Sequence, residues 1–329
     1  MIFLKYLSVF LSAFLLSLLS VGVLKKISQK FGILKPKGVP LVGGMGIGLS
    51  FIFVSLLPFV FLGKLSRELV GIAVCSALML VFGVFDDRRE LSVKAKLLFQ
   101  VLVTGLLILF GVKTQIIYIG NILNTFITFI WIAGITNAFN HLDVTDGLAA
   151  GVAIIVSSAF FTISLLNNDV SMMVMNLALI GAVSGFLLFN LPPAKVYLGN
   201  SGSHFLGFGL AAIALAISYA PLERKIALLS PLVILGLPIL DTLFLILMRI
   251  SRKKLPFKKS NDHIALRLLK SGHSKRRALL FMLLLCLFFS ACGILISQIS
   301  NALGFLTLAL MILVSLRITY RMSKVKVND

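Results

Sequence analysis

Apolar runs near the length of a membrane crossing recur from one end of this chain to the other. They fall at about 2–24, 41–62, 68–85, 97–112, 122–138, 147–166, 171–190, 203–219, 226–248, 278–297 and 301–316. A helix needs roughly 20 apolar residues to cross a hydrocarbon layer about 30 Å thick. Apolar residues make up 59% of the 329, and charged residues only 13%, against roughly 25% in soluble proteins. Solid runs such as 97–110 and 279–296 lack the period-two alternation of a membrane β-barrel. The first run is too long for the apolar part of a signal peptide and has no convincing cleavage site, so it counts as a span. The expectation is an all-α polytopic membrane protein of about eleven spans, forming a single membrane domain over residues 1–329.

An odd number of spans places the two termini on opposite sides. Sorting Lys and Arg between alternate loops gives twenty-five on one side, in 25–37, 88–96, Lys195, 249–277 and the tail from Arg317, and six on the other. Positive-inside bias makes the richer side cytoplasmic, with the N-terminus outside and the C-terminus inside. The formal charge of +20 is then chiefly a topological signal that also lies against anionic inner-leaflet lipid. With no aromatic-basic surface, nucleic acid is not an expected partner. Cys75, Cys286 and Cys292 all fall within apolar runs without metal-ligand spacing, and read as packing residues.

The chain has only eleven acids, and most of the inner loops hold conspicuous polar groups. Asp86 and Asp87 are adjacent carboxylates that repel unless a cation is near. They fit either a Mg²⁺–diphosphate site, since Mg²⁺ takes one or two carboxylates plus substrate phosphates, or a solvated loop neutralised by Arg88 and Arg89. The stretch 137–148, Asn-Ala-Phe-Asn-His-Leu-Asp-Val-Thr-Asp-Gly-Leu, contains no Lys or Arg. Taken as helical, it places Asn140, Asp143 and Asp146 on one face, a better cation site than a structural salt bridge. His141 alone reads as a packed histidine. In Gly199-Asn200-Ser201-Gly202-Ser203-His204, free backbone N–H groups at a span's start suit phosphate oxygens, and an N-cap at Ser201 or Ser203 explains the residues equally well. Asp241, inside the ninth run, is balanced between function and a buried structural pair. Asp262 and His263, followed by Arg267, suit a nucleotide diphosphate, with Arg able to grip phosphate bidentately. Pro40–Gly46 matches no phosphate-loop pattern and reads as tight packing.

Together these loops resemble the polyprenyl-phosphate N-acetylhexosamine-1-phosphate transferases. That family includes the enzyme initiating O-antigen and teichoic acid linkage units and, more distantly, the phospho-N-acetylmuramoyl-pentapeptide transferase. The resemblance covers about 40–277 and rests on Pro40–Gly44, Asp86-Asp87, 137–151, 199–207, 238–242 and Asp262-His263 with 267–269. It implies transfer of a sugar 1-phosphate, N-acetylglucosamine 1-phosphate by expectation, from a UDP-sugar to undecaprenyl or another polyprenyl phosphate, with release of UMP. It further implies Mg²⁺ (or Mn²⁺) as cofactor and a cytoplasm-facing site in a bacterial-type plasma membrane, with a homodimer left open. By the same resemblance Asp86, Asp87, Asp146 and His263 are catalytic. Asn137, Asp143, Ser201, Asp262 and Arg267 contact substrate, and Asn140, Asn200 and Asp146 ligate metal. Two places depart from the family pattern. Asn200 stands where an Asp is usual, so metal affinity should fall, and Ala265 and Leu266 stand where histidines are frequent. The competing classes are a transporter or flippase, and a non-catalytic relative that binds the lipid carrier or UDP-sugar. A transporter calls for ionisable groups in the middle of several spans, and only Asp241 is so placed.

Overall fold

The computed structural model describes residues 2–34, 38–219, 224–253 and 262–325, and its regular elements are all helical. In order these are α1 (Ile2–Phe31), α2 (Gly43–Phe61), α3 (Arg67–Arg88), α4 (Val93–Leu109), α5 (Gly120–Leu142), α6 (Leu148–Leu166), α7 (Val170–Asn190), α8 (Gly199–Ala216), α9 (Ser230–Ile234), α10 (Gly236–Ser251), α11 (Ile264–Lys270), α12 (Lys275–Gln298) and α13 (Asn301–Ser323). Asn261 and most of the basic loop before it lie outside the described residues.

Each expected span falls on a helix, but not each helix is a full span by its own length and composition. Among the described residues eight helices are long and apolar enough to cross a membrane: α1, α2, α3, α5, α6, α7, α12 and α13. A ninth arises if the stretch through α9 and α10, bent by 70°, is one broken span. Helix α4 has only 17 residues, and the first turn and a half of α8 is polar, Gly199 to His204. The bend has a local cause. Pro238 has no N–H to donate to Ile234, so the helical ladder is interrupted there.

Between apolar helices in lipid there is no hydrophobic drive, so association relies on close packing at small residues. Helix α8 is buried along nearly its whole length and packs against α2, α3 and α5. Glycines bring those backbones together. A Cβ on Gly44 of α2 would lie 2.2 Å from Gly202 N, and one on Gly83 of α3 would lie 2.4 Å from Ser201 Cα. One on Gly207 would lie 2.7 Å from Thr136 Cα of α5. The Pro40–Gly46 segment is tight packing, as its composition suggested. Gly43 N and Gly44 N donate to the carbonyls of Tyr197 and Leu198, and Tyr197 N donates to Pro40 O. The outer surface is apolar, with Leu98, Leu102, Ile122, Phe126, Leu306 and Leu313 all exposed. In water this would be an aggregating surface; in a bilayer it is the ordinary one.

Candidate active site

The polar loops that the sequence singled out meet at one end of the bundle, around the start of α8. Asp87, in the last turn of α3, accepts hydrogen bonds from Asn200 N at 2.7 Å (Oδ1) and Ser201 N at 3.0 Å (Oδ2). The first N–H groups of a helix lack internal partners, and a carboxylate there also meets the positive end of the helix dipole. The cap of α8 is therefore Asp87, from a distant part of the chain, and not Ser201 or Ser203. Gly83 makes this reach feasible by letting α3 approach closely. Gly199 matters as well: its φ is +76°, and a Cβ there would lie 2.7 Å from Asp87 Oδ2. Ser201 itself is fully buried.

Asp86 points elsewhere. Its Oδ2 lies 2.6 Å from Lys96 Nζ of α4 and 3.7 Å from His204 Nε2 of α8, and its Oδ1 accepts Leu91 N at 2.8 Å. Lys96 is the partner, a residue that sequence reading counted only as topological charge. A helical periodicity places it one turn into α4, facing the end of α3, but nothing local marks it. His204 is also a residue that sequence reasoning left without a role. It is fully buried, and among the described residues neither ring nitrogen has a partner within hydrogen-bond distance.

On α5, Asn140 Nδ2 donates to Asn200 Oδ1 and Ser203 Oγ, both at 2.9 Å. The two proposed carboxamide ligands are thus brought into direct contact. Asn137, one turn back, faces α4. Its amide exchanges hydrogen bonds with Gln100, 3.1 Å and 3.3 Å, and it also donates to Ala133 O. Helix α5 ends at Leu142, so Asp143 and Asp146 do not share a helical face. They occupy a tight turn instead. Val144 N bonds back to Leu142 O, and Gly147 at φ +78° opens α6, its N–H donating to Asn190 Oδ1 at 2.9 Å. Left-handed backbone at that point suits glycine. Asp146 Oδ2 accepts Ala194 N at 3.2 Å. Asp143 has neither hydrogen bond nor ion pair among the described residues. Burial, reinforced by the charges of Asp87 and Asp146, pushes its carboxyl up to about 7. Asp143 is therefore close enough to Asp87 and to Asp146 to feel the charge of each.

The last part of the site is the segment before α11. His263 Nδ1 lies 2.8 Å from Asp241 Oδ2, and Asp241 Oδ1 accepts Ile264 N at 2.8 Å. The His263 ring is 6.5 Å from that of His141. Asp262 is fully buried and ion-paired to Arg267 at 2.5 Å and to Arg252 at 3.3 Å. The remaining Arg267 contacts are also with protein. Its Nη1 donates to the carbonyls of Met322, Ser323 and Val325, and its guanidinium lies over Phe244 at 5.2 Å. Arg267 therefore fastens α11 to the end of α13, and only 1% of its surface is exposed.

Oxygen donors dominate the centre: the carboxylates of Asp87, Asp143 and Asp146 and the carboxamides of Asn140 and Asn200. That chemistry suits a hard cation such as Mg²⁺. Among the described residues no three His, Cys, Asp or Glu side chains converge as a metal cage, so the fit is to an ion that takes much of its shell from a ligand.

Comparison with known proteins identifies the family. Residues 69–218 match the glycosyl transferase family 4 model. The chain is 31% identical over 308 residues to the probable undecaprenyl-phosphate N-acetylglucosaminyl 1-phosphate transferase of Bacillus subtilis (strain 168), covering 87% of this chain and 84% of that protein. It is 32% identical over 279 residues to the decaprenyl-phosphate N-acetylglucosaminephosphotransferase of Mycolicibacterium smegmatis, covering 74% and 68%. It is 25% identical over 307 residues to the undecaprenyl-phosphate alpha-N-acetylglucosaminyl 1-phosphate transferase of Escherichia coli (strain K12), covering 87% and 82%. Bundle and matches together define a multi-pass membrane transferase. The chain belongs to glycosyl transferase family 4.

Proposed function

We propose that this protein transfers N-acetylglucosamine 1-phosphate from its UDP-sugar to undecaprenyl or another polyprenyl phosphate, as the first membrane step of a cell-envelope glycan. An oxygen of the lipid phosphate attacks the sugar-bearing phosphorus, the bridging P–O bond breaks, and UMP leaves with the electron pair. The observation that carries this reading is the meeting of Asp87, Asn140, Asn200 and the 143–146 turn at the start of α8, in a chain similar over most of its length to such transferases.

The lipid tail is retained in the bilayer by burial of its isoprenoid carbons, about 0.8 kcal/mol per CH₂, so its phosphate must react at the interface. The loops concerned are those assigned to the cytoplasmic side by the excess of Lys and Arg. Asp87 holds the start of α8 in place, and Lys96 offsets the charge of Asp86 next to it. Asp143 and Asp146, with Asn140 and Asn200, would hold Mg²⁺ together with diphosphate oxygens. When bound, Mg²⁺ neutralises those oxygens and stabilises charge on the transferred phosphoryl group. His263 stands beside the end of α5, where it can meet a phosphate oxygen.

The test is UMP release by purified protein in detergent, supplied with polyprenyl phosphate, Mg²⁺ and a panel of UDP-sugars. Release with UDP-N-acetylglucosamine, abolished by a chelator and restored by Mg²⁺, is the expected result. No release with any sugar in the panel would overturn the proposal.

A further inference from the structure

Asp241 lies just past the bend that starts α10, where an acid in an apolar helix has to be accounted for. It is 1% exposed. The nearby Asp262, equally buried, is balanced by two arginines. Asp241 has no Lys or Arg ion pair among the described residues, and both its oxygens go to one short segment. Oδ1 accepts the backbone N–H of Ile264, the first residue of α11, and Oδ2 lies 2.8 Å from His263 Nδ1. One carboxylate thus fixes both the start of a helix and the imidazole immediately before it.

This leaves one nitrogen of His263 open. Among the described residues nothing hydrogen-bonds to its Nε2, whereas Nδ1 is occupied. The ring sits 6.5 Å from that of His141, the residue between Asn140 and Leu142 at the end of α5. His141 makes no hydrogen bond to Asp241 among the described residues, and its own Nδ1 is buried without a partner there. A carboxylate accepts only from a protonated ring nitrogen, so in the neutral imidazole it dictates which nitrogen carries the proton.

We infer that Asp241 is a positioning residue: it holds His263 in the Nδ1–H tautomer with the ring fixed, and leaves Nε2 as the nitrogen that meets a substrate phosphate oxygen. The inference rests on the transferase reading. Asp241 acts through His263 and does not itself touch substrate. In the neutral ring Nε2 accepts a proton from a phosphate monoester; once charged, it donates to a phosphate oxygen while Asp241 keeps Nδ1–H.

Two measurements on the full-length protein in detergent test this. The first is the imidazole spectrum of ¹⁵N-histidine-labelled protein, with His263 assigned by its loss in His263→Gln; with four histidines in the chain the spectrum is simple. At a pH where the ring is neutral, His263 is expected as the Nδ1–H tautomer, and Asp241→Asn should abolish that preference. An Nε2–H tautomer in the unaltered protein, or unchanged signals in Asp241→Asn, overturns the inference. The second is kinetic. Asp241→Asn should lower kcat by about 10²-fold with KM for the UDP-sugar changed less than about threefold, and Asp241→Glu should recover part of the loss. Adding Asp241→Asn to His263→Gln should cost nothing further. Multiplying losses would mean that Asp241 works independently of His263. If the unaltered protein releases no UMP, the transferase reading fails on its own, and the tautomer alone decides the role of Asp241.

Discussion

The two acidic pairs of this chain have the same chemistry and opposite settings. Asp86 and Asp87 are adjacent at the end of α3, yet each has its own counterweight: Lys96 for one, the first N–H groups of α8 for the other. Asp143 and Asp146 lie in the turn after α5 with one backbone N–H between them and no ion pair among the described residues. Each carboxylate of the first pair is met by N–H or ammonium donors, whereas Asp143 of the second faces the charges of Asp87 and Asp146 with no donor of its own among the described residues. Charge left uncompensated in a site costs stability in the empty protein and is recovered when a cation arrives. On the proposed mechanism the first pair would serve as scaffold and the second would receive the charge of the metal.

The sharpest way to break that distinction is to remove charge from the second pair. Asp146→Asn should lower UMP release by about 10³-fold while the thermal midpoint in detergent stays within a degree or two; normal turnover would remove the turn from the site. Asp87→Ala should behave differently. It should lose turnover and also destabilise the protein by about 1–2 kcal/mol, because α8 loses its cap, whereas Asp87→Asn keeps one acceptor and should unfold less easily than Asp87→Ala. Equal stability of the two variants would contradict the capping role.

A smaller effect concerns pH. The Asp143 carboxyl is raised in the folded protein, so the fold binds more protons than the unfolded chain between about pH 4 and 7. Stability of the metal-free protein is therefore expected to fall as pH rises through that window, and Asp143→Asn should flatten that part of the curve. Since a divalent cation competes with that proton, half-saturating Mg²⁺ should be lower at pH 8 than at pH 6. A Mg²⁺ requirement independent of pH would show that Asp143 does not face the ion. The mildest change is Asn200→Asp. The aspartate can still accept the Asn140 hydrogen bond and adds a charge, so half-saturating Mg²⁺ should drop by roughly tenfold. No change would mean that Asn200 serves Asn140 and not the cation.

Much of this architecture could be read from the chain because its causes are local. Apolar runs locate the helices, and the excess of basic residues in alternate loops groups the polar segments on one side. What could not be read depends on long-range partners. Nothing near Asp86 in sequence distinguishes it from Asp87; the separation comes from α4 on one side and α8 on the other. Arg267 looks like a phosphate-binding residue by type, but its buried ties to Asp262 and to the end of α13 are tertiary. The same holds for Asn137, which a motif groups with Asn140 but which faces Gln100 one helix turn away. The end of α5 at Leu142 was missed for a different reason. Asp143 and Val144 are poor helix formers and Gly147 adopts a left-handed turn, a set of small preferences that the regular spacing of the acids obscured.

The fastening of Arg267 to Met322, Ser323 and Val325 has a bearing on how the protein is made. Met322 and Ser323 close α13 and Val325 lies just beyond it, so these carbonyls are synthesised after α3, α5, α8 and α11. Until α13 is in place Arg267 lacks these carbonyls, although Asp241 and α12 already hold the segment that carries Asp262 and His263. A chain stalled before α13 would therefore keep the contacts of Asp87, Asn140 and Asp146 and lose the fastening of Arg267 to the end of α13.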